Sequence, residues 1–290
     1  MQLDDLKGNA YKLKTRLNYS HIFTYTLLVA GSIVFLIPLA WLLSTALGTA
    51  EDAVRVPHNF LPWPLRFENF VNAFANTKYL TYLGNTLLVT FMGVTGNLLS
   101  VSLVAYGFAR MRFRGRDIIF LILLLTMMIP GQVLMVPTFI LFKWFGWYDT
   151  LYPLFVPHWF AVNAFGVFML RQFFMAIPTD LDDAARIDGA SSLRIFWSII
   201  LPLSKPALTT LAVLTFIGQW NDFIGPLLYI RTPSKQTFAL ALASLPSQYY
   251  TNYHEAMAAI LAYALPCIIV FFFAQRNLLK GMSLTGLGGK

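Results

Sequence analysis

The stretch PTDLDDAARIDGASSLRIFWSIILPLSKP, residues 178–206, carries several charges in a chain that is only 12% charged. Long apolar segments lie on both sides of it, so the sequence predicts a structured polar connector between two membrane spans. Thr179 and Asp180 are suitable N-caps for a first short helix, and Asp182 follows Thr179 at the spacing of a capping box. Gly189 permits a left-handed residue or a sharp turn where that helix ends.

A second short helix is expected after this glycine. Four apolar residues at positions i, i+3, i+4 and i+7 predict a stripe along one face: Leu193, Phe196, Trp197 and Ile200. Pro202 is expected to limit how far the helix runs. Two short helices that meet at a glycine predict a compact, L-shaped structure at the membrane surface, the knob, within residues 178–206.

The composition excludes several classes of protein. With 290 residues, 57% of them hydrophobic, the chain is too apolar for a soluble domain of this size. One cysteine, Cys267, provides neither a disulfide framework nor a zinc site, and no metal site is expected. A net charge of +8 could indicate nucleic acid, but the basic residues cluster beside the ends of apolar segments, which argues against that partner. The first apolar run is too long for the core of a cleavable signal peptide.

Six apolar segments predict an all-α polytopic membrane protein, a single transmembrane domain over residues 1–290. A span needs roughly 20 apolar residues, and each segment is close to that length or longer. Pro130 and Pro137 predict a kink or a broken helix in the third span, with ordinary packing distortion as the alternative. The expected spans are 22–46, 81–108, 118–142, 153–176, 207–228 and 256–274, with the knob in the loop 177–206 and a surface helix near 68–77.

The distribution of Lys and Arg predicts that both termini and the knob face the cytoplasm. With the N-terminus inside, the inner segments hold 15 of the 21 Lys and Arg residues and the outer segments hold 6. The arginines that follow the second span are interpreted as topology determinants and as contacts to anionic lipid: Arg110, Arg112, Arg114 and Arg116.

The knob also carries a resemblance to a known family. Asp183-Ala184-Ala185, Asp188-Gly189-Ala190 and Leu201-Pro202 resemble the EAA coupling loop of ABC-importer membrane subunits, with Asp183 where that family has Glu. Further segments are similar to the carbohydrate-importer permeases of the maltose type, and among them to the six-span, MalG-like subunit. These segments are Asn85-Thr86-Leu87, Met128-Ile129-Pro130, Trp220-Asn221-Asp222-Phe223 and Gln275-Arg276.

This resemblance implies one subunit of a heteromeric importer in the cell membrane. The complex would also contain a second homologous permease, two ATP-binding subunits that use ATP and Mg²⁺, and an extracytoplasmic substrate-binding protein. The chain itself would be no enzyme and would bind no cofactor, and it contains no G-x-x-x-x-G-K-[ST] phosphate loop. The residues implied to dock on an ATP-binding subunit are Asp183, Ala184, Ala185, Arg186, Asp188, Gly189, Ala190 and Ser191.

Polar groups at membrane depth are costly and often mark a transport path. The candidates here are Gln132, His158, Asn163, Gln219, Trp220, Asn221 and Asp222. Asp222 could line a water-filled cavity or pair with the partner permease, or it could lie at the outer end of a helix. Gln132, His158 and Asn163 could bind sugar hydroxyls or join neighbouring helices. The sugar or oligosaccharide that would pass could be neutral, acidic or glycerol-phosphate-like.

Two other classes of function remain as alternatives. A secondary transporter or channel that works alone would be expected to show an inverted repeat and paired charges at the midplane, and neither is evident. A membrane-bound enzyme would need candidate catalytic residues, and the sequence offers no such constellation.

Overall fold

The computed structural model describes residues 19–75, 78–243 and 253–286, and the regular elements of these ranges are all helices. The first helices are α1 Tyr19–Leu47, α2 Ala50–Val54, α3 Glu68–Ala75, α4 Tyr79–Arg110, α5 Arg116–Thr126, α6 Gly131–Trp144 and α7 Tyr152–Phe155. They are followed by α8 Ala164–Ala176, α9 Asp180–Ile187, α10 Ser192–Leu203, α11 Lys205–Trp220, α12 Ile224–Tyr229, α13 Phe238–Ala243 and α14 Tyr253–Gly286.

Four stretches in the described ranges are long and apolar enough to cross a membrane: Ile22–Leu47, Tyr79–Arg110, Tyr152–Ala176 and Tyr253–Gln275. Two pairs of helices meet the same criterion together, but each pair is bent, by 99° between α5 and α6 and by 80° between α10 and α11. The described part of the chain therefore holds four to six candidate spans. The prediction of an all-α polytopic membrane protein is confirmed at this level.

The third expected span, 118–142, is not one straight helix. α5 ends at Thr126 and α6 begins at Gly131, and the break falls at Pro130, whose backbone is extended with φ −60° and ψ 132°. Proline cannot donate a backbone hydrogen bond and disfavours a helical residue before it, so the helix stops there. The predicted break is confirmed at Pro130, whereas Pro137 lies inside α6 without interrupting it.

The fifth expected span, 207–228, is also interrupted. α11 ends at Trp220, and α12 begins at Ile224. The side chain of Asp222 accepts a hydrogen bond from the backbone N–H of Gly225 at 3.0 Å, which satisfies a free donor in the first turn of α12. A polar residue at this point therefore starts a new helix instead of continuing the old one.

The fourth span is interrupted where one helix was expected, and the sixth is longer than expected. In the fourth, α7 runs into a 3₁₀ segment, Val156–Phe160, and Ala161 then adopts a left-handed conformation with φ 52° before α8 begins. In the sixth, α14 is a continuous helix from Tyr253 to Gly286, which is longer at both ends than the predicted 256–274.

The main core joins α4 to α8, α10 and α11. Its buried side chains include Tyr106, Leu170, Phe174, Ile195, Phe196, Ile200 and Leu211. Deeper in the spans, the Asn97 side-chain amide donates to the Thr215 hydroxyl at 2.8 Å, and both side chains are buried. Helices in lipid associate through close packing and interhelical hydrogen bonds of this kind. The knob is therefore packed directly onto the ends of the spans.

The opposite end of α4 is tied to the segment that follows α12. The Asn85 side-chain amide donates to the backbone carbonyls of Ser234 at 3.0 Å and Gln236 at 2.9 Å. The Thr86 hydroxyl accepts a hydrogen bond from the Phe238 N–H at 2.8 Å. The segments that were expected outside thus meet at one end of α4, and the knob packs at the other.

Candidate functional site

The knob is formed by α9 and α10, which meet at Gly189. This glycine is left-handed, with φ 80°, and its N–H donates to the Arg186 carbonyl at 3.0 Å. The Ala190 N–H donates to the Ala185 carbonyl at 2.9 Å, so the two bonds of a Schellman motif close the helix. The Ser191 hydroxyl then accepts a backbone N–H of the first turn of α10 at 3.3 Å. The predicted helix, glycine turn and second helix are confirmed.

Asp182 lies beneath the knob, and the predicted capping box is wrong. Thr179 makes no side-chain capping bond to α9, and the Asp182 carboxylate is buried. One Asp182 oxygen is 3.7 Å from Nε of Arg110, the last residue of α4, and both side chains are only 4% exposed. Arg110 also donates to the carbonyls of Phe174 at 2.7 Å and Ile177 at 2.6 Å, where α8 ends. A single arginine therefore joins α4, α8 and α9.

The apolar stripe predicted for the second helix is only half correct. Phe196 and Ile200 are buried, but Leu193 is 60% exposed and Trp197 is 52% exposed. The turn from Phe196 to Ile200 is a π-helix, in which each turn holds more residues, so the buried face shifts and Ile195 joins it. α10 consequently runs past Pro202, the residue predicted to limit it, and ends at Leu203.

Three apolar residues lie on the outward face of α9. Leu181, Ala184 and Ile187 are spaced by three residues along one side of the helix, and Ile187 is 87% exposed. Ala184 was among the residues predicted to dock and Leu181 and Ile187 were not, although their spacing in a polar helix is a usable signal. Of the remaining residues implied to dock, the exposed ones are Asp183, Arg186, Asp188, Gly189 and Ser191, and the half-buried ones are Ala185 and Ala190.

A second candidate site is a cavity of about 340 Å³ between α8, the 3₁₀ segment before it and α11. Three of the predicted path residues line it: His158, Asn163 and Gln219. The Gln219 amide contacts the His158 ring, and His158 Nδ1 and Gln219 Oε1 have no hydrogen-bond partner in the described part of the chain. The Asn163 side chain accepts the Gly166 N–H at 2.9 Å and caps α8.

The other four predicted path residues lie outside this cavity. Trp220 is buried, stacks on Tyr263 of α14 at 5.4 Å, and donates its indole N–H to the Tyr263 carbonyl at 3.1 Å. Asn221 donates to a backbone carbonyl one turn earlier in α11, at 2.9 Å. Asp222 stabilises the start of α12, and Gln132 is exposed in the first turn of α6.

Asp149 ties the turn between α6 and α7 to the chain beyond α12. Its carboxylate accepts the Thr232 hydroxyl at 2.6 Å, the Thr232 N–H at 2.8 Å and the Arg231 N–H at 2.9 Å. The Lys235 ammonium lies 3.2 Å from the same carboxylate. Hydrogen bonds from Thr232, with smaller help from Arg231 and Lys235, hold the pKa of Asp149 well below its usual range.

A family profile decides where this arrangement belongs. The profile described as "Binding-protein-dependent transport system inner membrane component" matches residues 98–284, which is well over half of the chain and includes the knob and the cavity. The chain belongs to this family. It is therefore a multi-pass permease subunit of an ABC importer in the cell membrane and not an enzyme. This membership decides against the alternative of a transporter or channel that works alone.

Several named permeases are similar to this one over nearly their whole length. The arabinooligosaccharides transport system permease protein AraQ of Bacillus subtilis (strain 168) is 33% identical over 261 residues, which cover 89% of this chain and 92% of AraQ. The galactooligosaccharides permease GanQ of the same organism is 29% identical, with 96% and 99% covered. The sn-glycerol-3-phosphate permease UgpE of Yersinia pestis is 30% identical, with 90% and 95% covered.

Solved structures agree with this assignment. A bacterial ABC transporter involved in the import of the acidic polysaccharide alginate matches the permease with a TM-score of 0.79 and 26% identity, covering 90% of this chain and 96% of that one. A second structure, the alginate transporter in complex with a periplasmic protein bound to alginate pentasaccharide, shares the fold with a TM-score of 0.61 and 20% identity over 88% and 93%. The predicted resemblance to carbohydrate-importer permeases is confirmed.

Proposed function

We propose that this permease moves a saccharide into the cytoplasm as one of two homologous permeases in a single complex. Two ATP-binding subunits, which hold the ATP and Mg²⁺, and an extracytoplasmic substrate-binding protein complete the assembly. The similar permeases include ones named for oligosaccharide and lactose transport systems, which supports a saccharide as cargo. The observation that carries the proposal is the knob, an anchored helix pair with an exposed apolar face.

The proposed topology has six spans, with both termini and the knob in the cytoplasm. The bent pair α5 and α6 then counts as one span, and α11 begins the fifth span because its bent partner α10 belongs to the knob. The excess of Lys and Arg on the inner segments supports this orientation. The contact of Arg110 with α8 and α9 unites segments assigned to the inner side. The bonds from Asn85 to Ser234 and Gln236 unite segments assigned to the outer side.

The knob is proposed to act as a rigid lever between an ATP-binding subunit and the spans. Its inner side is held by Arg110 and by Tyr106, whose hydroxyl donates to the Ser192 carbonyl at 3.0 Å and whose ring packs 5.1 Å from that of Phe196. Displacement of α9 must therefore move the ends of α4 and α8 with it. Packed interfaces of this kind respond as units because they are dense and hardly compressible.

The outer side of the knob suits an apolar cleft with a polar rim. Leu181, Ala184 and Ile187 form the apolar centre, and Asp183 and Arg186, which pair with each other at 3.3 Å, lie beside it. Interfaces combine a buried apolar centre with exposed polar groups at the edge in this way. Asp188, Gly189 and Ser191 belong to the same proposed contact. Ala185 and Ala190 also belong to it, and their small side chains limit the width of the knob.

The cavity at His158, Asn163 and Gln219 is proposed to lie on the saccharide path. His158 Nδ1 and Gln219 Oε1, which have no hydrogen-bond partner among the described residues, can bond sugar hydroxyls, because a hydroxyl both donates and accepts. The residues described as lining the cavity include no Lys, Arg, Asp or Glu, which favours a neutral saccharide over an acidic one. Gln132, Trp220, Asn221 and Asp222 stay predictions for other parts of the path.

The test of the lever uses the whole complex in proteoliposomes with its binding protein. Ala184→Trp and Ile187→Glu are expected to insert normally, while uptake per ATP hydrolysed falls roughly tenfold or more, since both disturb a central contact. Val71→Glu is the control, because Val71 is 67% exposed on α3, outside the knob. Coupling at the wild-type level in both knob variants would contradict the proposal.

The topology is tested with a thiol reagent that cannot cross the membrane, in a chain whose Cys267 is replaced by Ser. Ile187→Cys is expected to react in inside-out vesicles and not in intact spheroplasts. Tyr152→Cys, at the first residue of α7, which is 52% exposed, is expected to show the reverse. The opposite labelling pattern would overturn the orientation.

A further inference from the structure

A polar groove of about 760 Å³ lies beside the knob, between the end of α4, the turn that follows it and α9. The arginines among its lining residues are Arg110, Arg112, Arg116 and Arg186, and the acids are Asp182 and Asp183. The groove therefore has an excess of positive charge at the surface of a membrane protein. The transport role described above assigns nothing to it.

Not every arginine in the groove is free to bind a ligand. Arg110 is committed to Asp182, and Arg186 pairs with Asp183. Arg116 pairs with the exposed Asp117 at 2.9 Å. Arg112 makes no hydrogen bond or ion pair within residues 19–75, 78–243 and 253–286, and it is exposed. Arg112 is thus the cation that is available, with Arg116 beside it.

These two arginines also form the wall of a second, less polar cavity. This cavity has a volume of about 450 Å³. It is lined by Arg112, Phe113, Gly115, Arg116, Ile118 and Asp117, the acid that pairs with Arg116. Ile118 is 66% exposed, and the same helix continues with the exposed apolar residues Ile119, Leu121, Ile122 and Leu125. The polar groove and the exposed apolar face of α5 therefore adjoin each other at Arg112 and Arg116.

That combination fits an anionic amphiphile better than a simple anion. Arginine binds phosphate oxygens through paired N–H donors, and basic residues at the membrane edge attract anionic headgroups. Free phosphate would contact the groove alone and would make no use of the apolar face of α5 beside it. A phospholipid uses both, with its phosphate at the arginines and its acyl chains along α5.

We propose that this groove is a binding site for the headgroup of an anionic phospholipid, held by Arg112 and Arg116. The site does not depend on the cargo, but it shares Asp183 and Arg186 with the proposed contact to an ATP-binding subunit. Because Thr179, Asp183 and Arg186 of the knob line the opposite wall, a bound headgroup would touch both the α4–α5 turn and the lever. The lipid composition of the membrane would in this way affect the knob, which is proposed to transmit force to the spans.

The test measures lipid retained by the purified full-length complex in neutral detergent, by native mass spectrometry, after incubation with phosphatidylglycerol or phosphatidylcholine of the same chain length. Retention of phosphatidylglycerol above phosphatidylcholine is expected. Arg112→Gln should lower it roughly fivefold, which is the contribution of one basic residue near an anionic surface. Arg114→Gln removes the same charge from the same turn but outside the groove lining, and it should retain lipid like the wild type.

Two outcomes would overturn the site. An equal loss in Arg112→Gln and Arg114→Gln would show diffuse attraction, and equal retention of both lipids would show no preference for the anionic headgroup. A separate titration with inorganic phosphate in lipid-free detergent is expected to show no saturable binding, and saturation there would reassign the groove to a free anion. Arg112→Lys, which keeps the charge, should restore part of the retention, and unchanged thermal melting of each variant confirms that the chain is folded.

Discussion

The guanidinium of Arg110 and the carboxylate of Asp182 form a buried ion pair, with 3.7 Å between Nε and the nearer oxygen, that joins the last turn of α4 to the first turn of α9. Each side chain is only 4% exposed, so if one is removed, water cannot solvate the charge of the other. The pair thus fixes the knob to the end of α4, as the proposed lever requires.

Arg110→Gln is expected to lower the free energy of unfolding by about 3–5 kcal/mol, because it leaves the Asp182 charge buried and unpaired. Thermal or denaturant unfolding of the detergent-solubilised permease measures this, and the Asp182→Asn single and double variants complete a double-mutant cycle. The Asp183–Arg186 pair is the control, since its side chains are 66% and 52% exposed. Arg186→Gln should change stability by less than about 1 kcal/mol. Equal costs at the two pairs would contradict the buried linkage.

Gly189 is expected to tolerate Asn but not Val. Its left-handed conformation costs a residue with a Cβ about 1–2 kcal/mol, and Asn adopts this conformation more readily than other residues. A Cβ there would meet no neighbouring atom within 4 Å, so the effect is one of backbone strain and not of crowding. Coupling of ATP hydrolysis to uptake should fall in Gly189→Val and remain in Gly189→Asn. Full coupling in Gly189→Val would show that the Schellman turn is not needed.

Two glycines of α4 are expected to respond in opposite ways to alanine. A Cβ at Gly96 would lie only 2.7 Å from Cγ of the Trp159 ring, so Gly96→Ala should destabilise the permease by about 1–3 kcal/mol. A Cβ at Gly84 would meet nothing within 4 Å, so Gly84→Ala should be neutral or stabilising by up to about 1 kcal/mol. Melting temperatures of the two variants measure the difference. A neutral Gly96→Ala would mean that α4 and the 3₁₀ segment do not pack this closely.

His158→Ala and Gln219→Ala are expected to reduce saccharide uptake at saturating binding protein by roughly twofold to tenfold, the effect of one neutral hydrogen bond. Gln172→Ala is the matched control, because that residue is exposed on α8 and does not line the cavity. Gln132→Ala tests the other predicted path residue, on α6. Uptake of labelled saccharide in proteoliposomes provides the measurement. A larger loss of uptake in Gln132→Ala than in His158→Ala and Gln219→Ala would indicate that the saccharide passes along α6 instead of through this cavity.

Asp149 is expected to stabilise the permease at neutral pH and to lose this effect in acid. Its pKa is lower in the folded state than the ordinary value of 3.8, because the Thr232 hydroxyl and N–H bond its ionised form. Such a carboxylate stabilises fully above its unfolded pKa, and the contribution declines as the pH falls below that value.

Asp149→Asn keeps the shape and the left-handed preference of this residue, whose φ is 57°. Its melting temperature should therefore lie below that of the wild type at pH 7, and the gap should narrow below about pH 4. Asp180→Asn, at an exposed residue of α9 with no such bonds in the described chain, should show no comparable gap. A gap that is constant from pH 7 to pH 3 would contradict the role of ionised Asp149.

Features that depend on neighbouring residues could be read from the sequence. Hydropathy located the apolar segments, and the glycine at 189 marked the left-handed turn, because both follow from local conformational preference. The break at Pro130 was likewise local. The capping role given to Asp182 failed for the opposite reason, since its burial depends on an arginine at the end of a distant helix. The π-helical turn from Phe196 to Ile200 also shifted a stripe that a regular helical period would have placed.

The sequence by itself determined that this is a helical membrane protein with a polar knob between two late spans, because charge, apolar length and turn chemistry act over a few residues. Only the tertiary structure decided that Arg110 reaches carbonyls more than 60 residues away and that His158 meets Gln219, because these contacts need two helices to be packed side by side. It also separated Arg112, which makes no ion pair in the described part of the chain, from the three groove arginines that each pair with an acid. Pairing across the fold depends on the packing of whole helices, which the local pattern of residues does not specify.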